Sequence, residues 1–255
     1  MPPRLTLRSP EPWQLFKAPA TVSLDAPFTD PGSNDTHHCT VDWDDGTVET
    51  FAQEGNCGHT HVFEHAGMFT VNVTVTDDDG GTDCKQVLVI VYDPTAGRVT
   101  GGGFIESPAS AFVPDPSATG KAHVNSEVRY RDANATVPEG HVSFRLAAAD
   151  LDLTVSALEW LVVTPDGKLA VKGTGTSGPG GEDVGFVLYG YDGCVGNQTS
   201  GCQPGPDRLR MVLWPLSAGD IPGATLRYDN VPGADPDIDR FNPQPVTGGS
   251  IQIHR

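Results

Sequence analysis

Met68–Gly81 reads MFTVNVTVTDDDGG. Phe69, Val71, Val73 and Val75 alternate with Thr70, Asn72, Thr74 and Thr76, the period-two pattern of a strand with one face in a core. The run ends in Asp77-Asp78-Asp79-Gly80-Gly81, acidic and glycine residues suited to a tight turn. A second turn lies upstream in VDWDDGT at 41–47, and His61-Val62-Phe63 followed by Gly67 falls between the two. Outward from there, short apolar runs at Leu5–Leu7, Val22–Leu24, Cys39–Trp43, Thr47–Phe51, Thr60–Phe63 and Gln86–Tyr92 bring the count to the seven strands a sandwich needs. Trp43, Phe63, Phe69 and the valine row are its expected core.

Composition points the same way. Thirty Gly and 22 Pro in 255 residues indicate short strands joined by turns, and no window carries a sustained helical stripe. The nearest is LAAADLDL from Leu146, which is short. The expected class is all-β, in two domains. A formal charge of −17, from 33 acids against 16 bases, repels phosphate backbones and argues against nucleic acid as a partner. No run of apolar residues is long enough to span a bilayer as a helix. Met1-Pro2-Pro3-Arg4 carries no apolar signal core, so the expectation is a mature or expressed fragment, or the tail of a longer chain.

The turn-rich segment 93–98 reads as a linker between a first domain at 1–92 and a larger second domain at 99–255. In the second, alternating runs at Val99–Ile105, Ala122–Arg131, His141–Ala147, Leu151–Ser156, Leu158–Val163, Leu169–Gly173, Val184–Tyr189, Arg208–Trp214, Ala224–Tyr228 and Ser250–His254 suggest a ten-stranded sandwich or jelly roll. The Gly-rich first run is expected to pair beside the last. Of five cysteines, Cys39 and Cys57 are placed to tie two neighbouring strands, and Cys194 and Cys202 to clip the loop between them. Both pairs imply an oxidising compartment. Cys84 is left over, expected as a buried or partly buried free thiol.

Phe28-Thr29-Asp30-Pro31-Gly32, VDWDDGT, HVF and MFTVNVTVTDDDGGT, taken in order, resemble the polycystic kidney disease (PKD) repeat. The resemblance implies an immunoglobulin-like extracellular β-sandwich that binds or spaces other domains. Some such domains hold calcium with loop carboxylates, which makes Asp42, Asp45, Asp77 and Asp79 the candidate ligands here, with Asp42 and Asp77 at matching family positions. The competing reading is that these aspartates cap their own turns. Further on, VTGGGFI, GKAHVNSEVRYR, TVPEGHVSFRL, LEWLVV, VKGTGT, DVGFVLYGYDG, DRLRMVLW, LRYDN and GGSIQIH resemble the bacterial post-COAP-1 domain. That resemblance implies architecture and no catalytic activity. The chain departs from it at His123-Val124-Asn125, where an aromatic-rich strand is expected.

Other constellations weigh less. His59, His61 and His65 form H-x-H-x3-H, but His61 sits where the PKD family packs or hydrogen-bonds a histidine. There is no G-x-S-x-G and no phosphate loop. Glu159 and Asp207 are the carboxylates to inspect for glycoside hydrolysis, each reading more simply as a surface ion or turn cap. Among aromatics, Tyr191 before Asp192-Gly193 is the candidate exposed ring for glycan binding. Sequons occur at Asn34, Asn72, Asn134 and Asn197. The expected role is a non-catalytic structural, adhesion or spacer module of a secreted or cell-surface bacterial protein. Its expected partners are other domains of a larger chain, a cell-surface protein or a polysaccharide. No cofactor is required beyond a possible calcium ion. The alternative is a carbohydrate-binding module that targets a secreted hydrolase.

Overall fold

A computed structural model describes residues 1–32, 34–193, 205–223, 225–240 and 243–254. They form two compact units, Met1–Tyr92 and Asp93–Arg255. The first has strands β1 (Arg4–Leu5), β2 (Leu15–Lys17), β3 (Ala20–Leu24), β4 (Phe28–Thr29), β5 (His37–Asp42), β6 (Val48–Ala52), β7 (His59–Phe63), β8 (Gly67–Asp77) and β9 (Thr82–Tyr92). One sheet runs β2-β9-β8-β5-β6, and the opposing layer is made of the pairs β3-β7 and β1-β4. The seven expected strands are present. β2 and β4 escaped notice because they are too short to show alternation.

The valine row does what its period requires: Val71, Val73 and Val75 are fully buried and pack with Cys39, Val41, Trp43, Val22 and Phe63. Cys39 and Cys57 are bonded. Cys39 lies on β5 of the large sheet and Cys57 just ahead of β7. The bond therefore crosses from layer to layer, rather than tying neighbouring strands. It closes 18 residues, a constraint on the unfolded chain worth roughly 3 kcal/mol. Cys84 corrects an expectation: its thiol is free and exposed. The first half of β9, Thr82–Gln86, runs past the core and is covered only from Val87 onward. Cys194 and Cys202 lie outside the described residues.

The second unit has β10 (Arg98–Ser107), β11 (Gly120–Arg129), β12 (Glu139–Leu146), β13 (Leu151–Val163), β14 (Lys168–Ser177), β15 (Glu182–Tyr191), β16 (Arg208–Pro215), β17 (Tyr228–Asp229), β18 (Gln244–Pro245) and β19 (Gly248–His254). They make one curled antiparallel sheet in the order β17-β16-β15-β14-β13-β12-β11-β10-β19, with β18 on β16. The all-β class stands, but a single meander takes the place of two separate sheets. The expected pairing of first and last strands is present, Val99 opposite Ile253 and Gly101 opposite Ile251.

The corner of the curl is β13. What reads as two runs, Leu151–Ser156 and Leu158–Val163, is one strand broken by two register shifts against β14, at Val155/Ala157 and Leu158/Trp160. Bulges bend and twist a strand. On its other side β13 pairs with β12 only from Leu151 to Thr154. The helical-looking LAAAD is one 3-10 turn, Ala147–Ala149, stopped by Asp150 in the left-handed region at φ 48.

The curl closes by side chains. Asp207 Oδ2 accepts the Ile251 N–H at 2.7 Å and Asp192 Oδ2 accepts the Ile253 N–H at 2.8 Å, so two carboxylates cover the outer edge of β19. Tyr228 on β17 donates its hydroxyl to Ser107 Oγ at the end of β10, 3.0 Å away. From Val184 to Tyr191, β15 is buried at every residue. One of its faces is roofed by the chain that follows β17: Tyr189 donates to Pro236 O at 3.0 Å and Tyr191 to Ile238 O at 2.8 Å.

Candidate functional site

The expected calcium set is not assembled. Asp42 lies opposite Asn72 and Asp77 opposite His37, at the two ends of the β5–β8 ladder. Asp42 Oδ1 accepts the Asp44 N–H and Asp45 Oδ1 the Thr47 N–H, both at 3.0 Å, which is turn capping. Asp79 is exposed in its turn. The structure instead gathers Asp77 with Asp30 and Asp35, their oxygens all within 4.8 Å of one another. Asp30 belongs to the Phe28–Gly32 motif, so its place was signalled; Asp35 was not.

This cluster is tightly built. Asp30 Oδ1 accepts the Gly32 N–H at 2.7 Å and its Oδ2 meets His37 Nε2 at 3.1 Å. Asp77 Oδ1 accepts the Gly81 N–H at 2.6 Å. A side chain at Gly32 would collide with the Asp35 carboxyl. The Gly32 and His37 bonds hold Asp30 below the ordinary carboxylate range. Asp35 is pushed the other way, by burial first and then by the charges of Asp30, Asp78, Asp79 and Asp77. Burial pulls the buried His37 down, but the Asp30 bond and the Glu54 charge outweigh it and raise its pKa.

At the other end of the same unit, His59 and His61 share one face of β7. Trp43 Nε1 donates to Glu49 Oε2 at 2.9 Å, and His59 Nε2 meets that same oxygen at 3.1 Å. His61 Nε2 meets Asp45 Oδ2 at 2.7 Å, and its ring stacks on Trp43 with centroids 4.8 Å apart. Each imidazole spends its Nε2 on a different carboxylate, and His65 stands exposed in the next turn. This is packing and hydrogen bonding across the two layers.

A disulfide-bridged, valine-rich sandwich with an Asp-Gly turn after the central strand of its large sheet is the frame on which all these groups sit. Residues 11–91 match the family model of the PKD domain. No curated protein and no solved structure matches the chain. PKD domains are non-catalytic modules, generally extracellular, that mediate protein contacts. Among the described residues no helix is long and apolar enough to cross a membrane.

In the second unit, the sequence-flagged groups are structural. Tyr191, expected to be exposed, is buried, only 9 % exposed, and donates its hydroxyl to Ile238 O. As the last residue of β15 it lies under the covering chain, and burial pushes its hydroxyl up to about 12. Glu159 pairs with the buried Lys172, whose ammonium lies 5.9 Å from the Trp214 ring. Asp207 accepts from Gly193 N at 2.7 Å as well as from Ile251 N. Sequence reading missed the strongest constellation. Arg210 and Asp229, 5 % and 3 % exposed, form a two-pronged pair with Nε–Oδ1 at 2.9 Å and Nη2–Oδ2 at 2.8 Å. The same guanidinium donates to Asp235 O at 2.7 Å and Ala234 O at 3.0 Å. Alternating buried strands read as apolar, and nothing local marks one arginine among them as the pin of a loop about 20 residues downstream.

Proposed function

We propose that the chain is a non-catalytic structural and adhesion segment of a secreted or cell-surface bacterial protein. In this reading the PKD unit spaces and presents a larger, post-COAP-1-like β domain. The PKD match over 11–91 carries the reading. The fate of the buried charges supports it. Arg210, Asp229, Asp192 and Lys172 are engaged in pairs or backbone bonds that fix strands and loops. Rigid sheets with pinned loops suit a part whose work is geometric. The carbohydrate-binding alternative loses its chosen ring, because Tyr191 is covered.

Calcium enters as the ion the PKD unit would take, with Asp30, Asp35 and Asp77 as ligands in place of Asp42, Asp45 and Asp79. Support comes from the family implication and from hard oxygen donors gathered within 4.8 Å. Calorimetric titration of calcium into the protein and into Asp35→Asn checks this: binding by the former and none by the latter is expected. Equal heats, or none, remove the ion from the reading.

The structural role is tested by stretching single full-length molecules, where two distinct unfolding events at well-defined forces are expected. Ester, glycoside and peptide chromogenic substrates are offered in parallel. Turnover of any of them that co-purifies with the folded protein and is lost when it is unfolded would overturn the non-catalytic reading.

A further inference from the structure

The curled sheet parts where it turns its corner. The β12–β13 ladder stops at Ser143 opposite Thr154, yet β12 extends back to Glu139 and β13 forward to Val163. At the far end of the gap a side chain takes the place of the missing neighbour: the Tyr130 hydroxyl accepts from Leu161 N at 3.0 Å and donates to Leu161 O at 3.2 Å. Between ladder and phenol lies an open cleft of about 560 Å³ walled by Val137–Ser143 on one side and Leu153–Leu158 on the other. That volume is ordinary for a ligand site.

Both walls are strand edges. β12 pairs with β11 on its other side and β13 with β14. In a strand, backbone N–H and C=O groups point alternately to either side. Part of the main chain at Gly140–Val142 and at Val155–Leu158 therefore faces the cleft, and these stretches do not pair with each other. Gly140 holds a φ of +130, and a Cβ there would strike Glu127 O, so this wall admits only glycine at that point. Elsewhere the molecule covers such edges deliberately, with Asp192 and Asp207 on β19 and Tyr130 on Leu161. Open edges are templates for another strand.

We propose that this cleft receives an extended peptide segment of a partner protein, which adds as a strand between β12 and β13. Strand addition draws its affinity from the main chain and its selectivity from alternate side-chain pockets. The walls mix small apolar side chains, Val137, Val142, Val155 and Ala157 among them, with the polar Glu139, His141, Ser143, Thr154 and Ser156, and Val137 is 57 % exposed at the rim. They suit a segment with valine-sized residues at every second position. The net charge of −17 favours a neutral or basic segment. His141 is the one ring among the lining residues, so the cleft offers little for a sugar to stack on. The proposal rests on the adhesion reading and names the chemistry of its partner.

The probe is acetyl-Lys-Val-Thr-Val-Thr-Val-Lys-amide, fluorescently labelled, with the same peptide N-methylated at alternate residues as control. Saturable binding to the full chain is expected, at least tenfold weakened by N-methylation and by Ala157→Trp, which fills the cleft from an exposed position. Val137→Asp at the rim gives a second, milder block should the first disturb the fold. Amide hydrogen exchange should slow at 140–142 and 155–158 when peptide is bound. Absence of saturable binding, equal binding of the methylated peptide, indifference to both substitutions, or protection of these amides by cellohexaose instead would each overturn it. Such a failure leaves the structural role untouched, since stretching and turnover test that separately.

Discussion

The two units hold their shape by opposite means. The PKD unit crosses its core with a covalent bond between Cys39 and Cys57 and with imidazole–carboxylate contacts at its rims. The second unit pins its covering chain with a buried ion pair and covers its edges with single aspartates. A covalent staple works mainly on the unfolded chain, whereas a buried pair costs desolvation and returns it only while both partners are present. Among the described residues, the second unit is therefore the more brittle to single substitutions, and the first carries the bond that reduction would break.

The sharpest test of that contrast is Arg210→Met. It leaves the Asp229 carboxyl at 3 % exposure with no counter-charge, and frees the carbonyls of Ala234 and Asp235. A loss of about 3–5 kcal/mol is expected for the second unit alone, measured as a shift of one of two denaturant transitions. Arg210→Met combined with Asp229→Leu should recover the part due to the unpaired charge, since a well-packed apolar pair can replace a buried ionic one, while the carbonyls of Ala234 and Asp235 and the Val231 N–H stay unpaired. If the single substitution moves the PKD transition equally, the units are not independent and the comparison fails.

Next in size is the disulfide. Cys39→Ala with Cys57→Ala should lower the PKD unit by roughly 2–4 kcal/mol and leave the second transition in place. Dithiothreitol should reproduce the shift in the parent protein. Smaller again is Asp207→Ala, which orphans the N–H groups of Gly193 and Ile251. About 1–3 kcal/mol is expected, with hydrogen exchange accelerated at Ile251 before the rest of β19. Uniform acceleration throughout the sheet would argue that the edge carboxylate is not a local cover.

How much of this was legible depends on the range of the interaction. Alternation at Phe69–Val75 and the Asp-Gly turn after it are local, so the first sandwich could be read directly. The bulges of β13 are local too, but in one dimension they look like a strand boundary, and a count of ten strands does not say whether they lie in two sheets or in one that curls. Tyr191 stands beside a turn-like Asp-Gly and carries no sign that Ile238, 47 residues on, will cover it. Asp77 is legible from its family position and its turn, but its meeting with Asp35 is made only by the fold, and nothing local separates Asp35 from Asp42, Asp45 and Asp79. Pairings made across a sheet leave no mark on the segment that makes them.

The finest effect separates the two ends of the PKD unit by pH. Burial pushes Asp45 up, but the His61 bond and the Thr47 bonds outweigh it and hold it below the ordinary range. The Trp43 bond does the same for Glu49, with His59 adding to it against burial. A carboxyl lowered on folding contributes stability that is present above its unfolded value, about pH 4, and lost as pH falls through the folded one. His37 is raised, so its contribution is complete below about pH 6.5 and is lost as pH climbs through its folded value. The PKD transition should therefore weaken on both sides of a plateau between those limits. Asp45→Asn with Glu49→Gln should shrink the acid limb, to which Asp30 and Asp83 also contribute, and leave the alkaline limb in place; His37→Gln should flatten the alkaline limb and, through the lost bond to Asp30, trim the acid limb slightly. The steps should be small, since Asp45 and Glu49 are partly open to solvent. Should His37→Gln leave the alkaline limb in place, its imidazole is neutral in the folded protein, and the bond to Asp30 is an uncharged one.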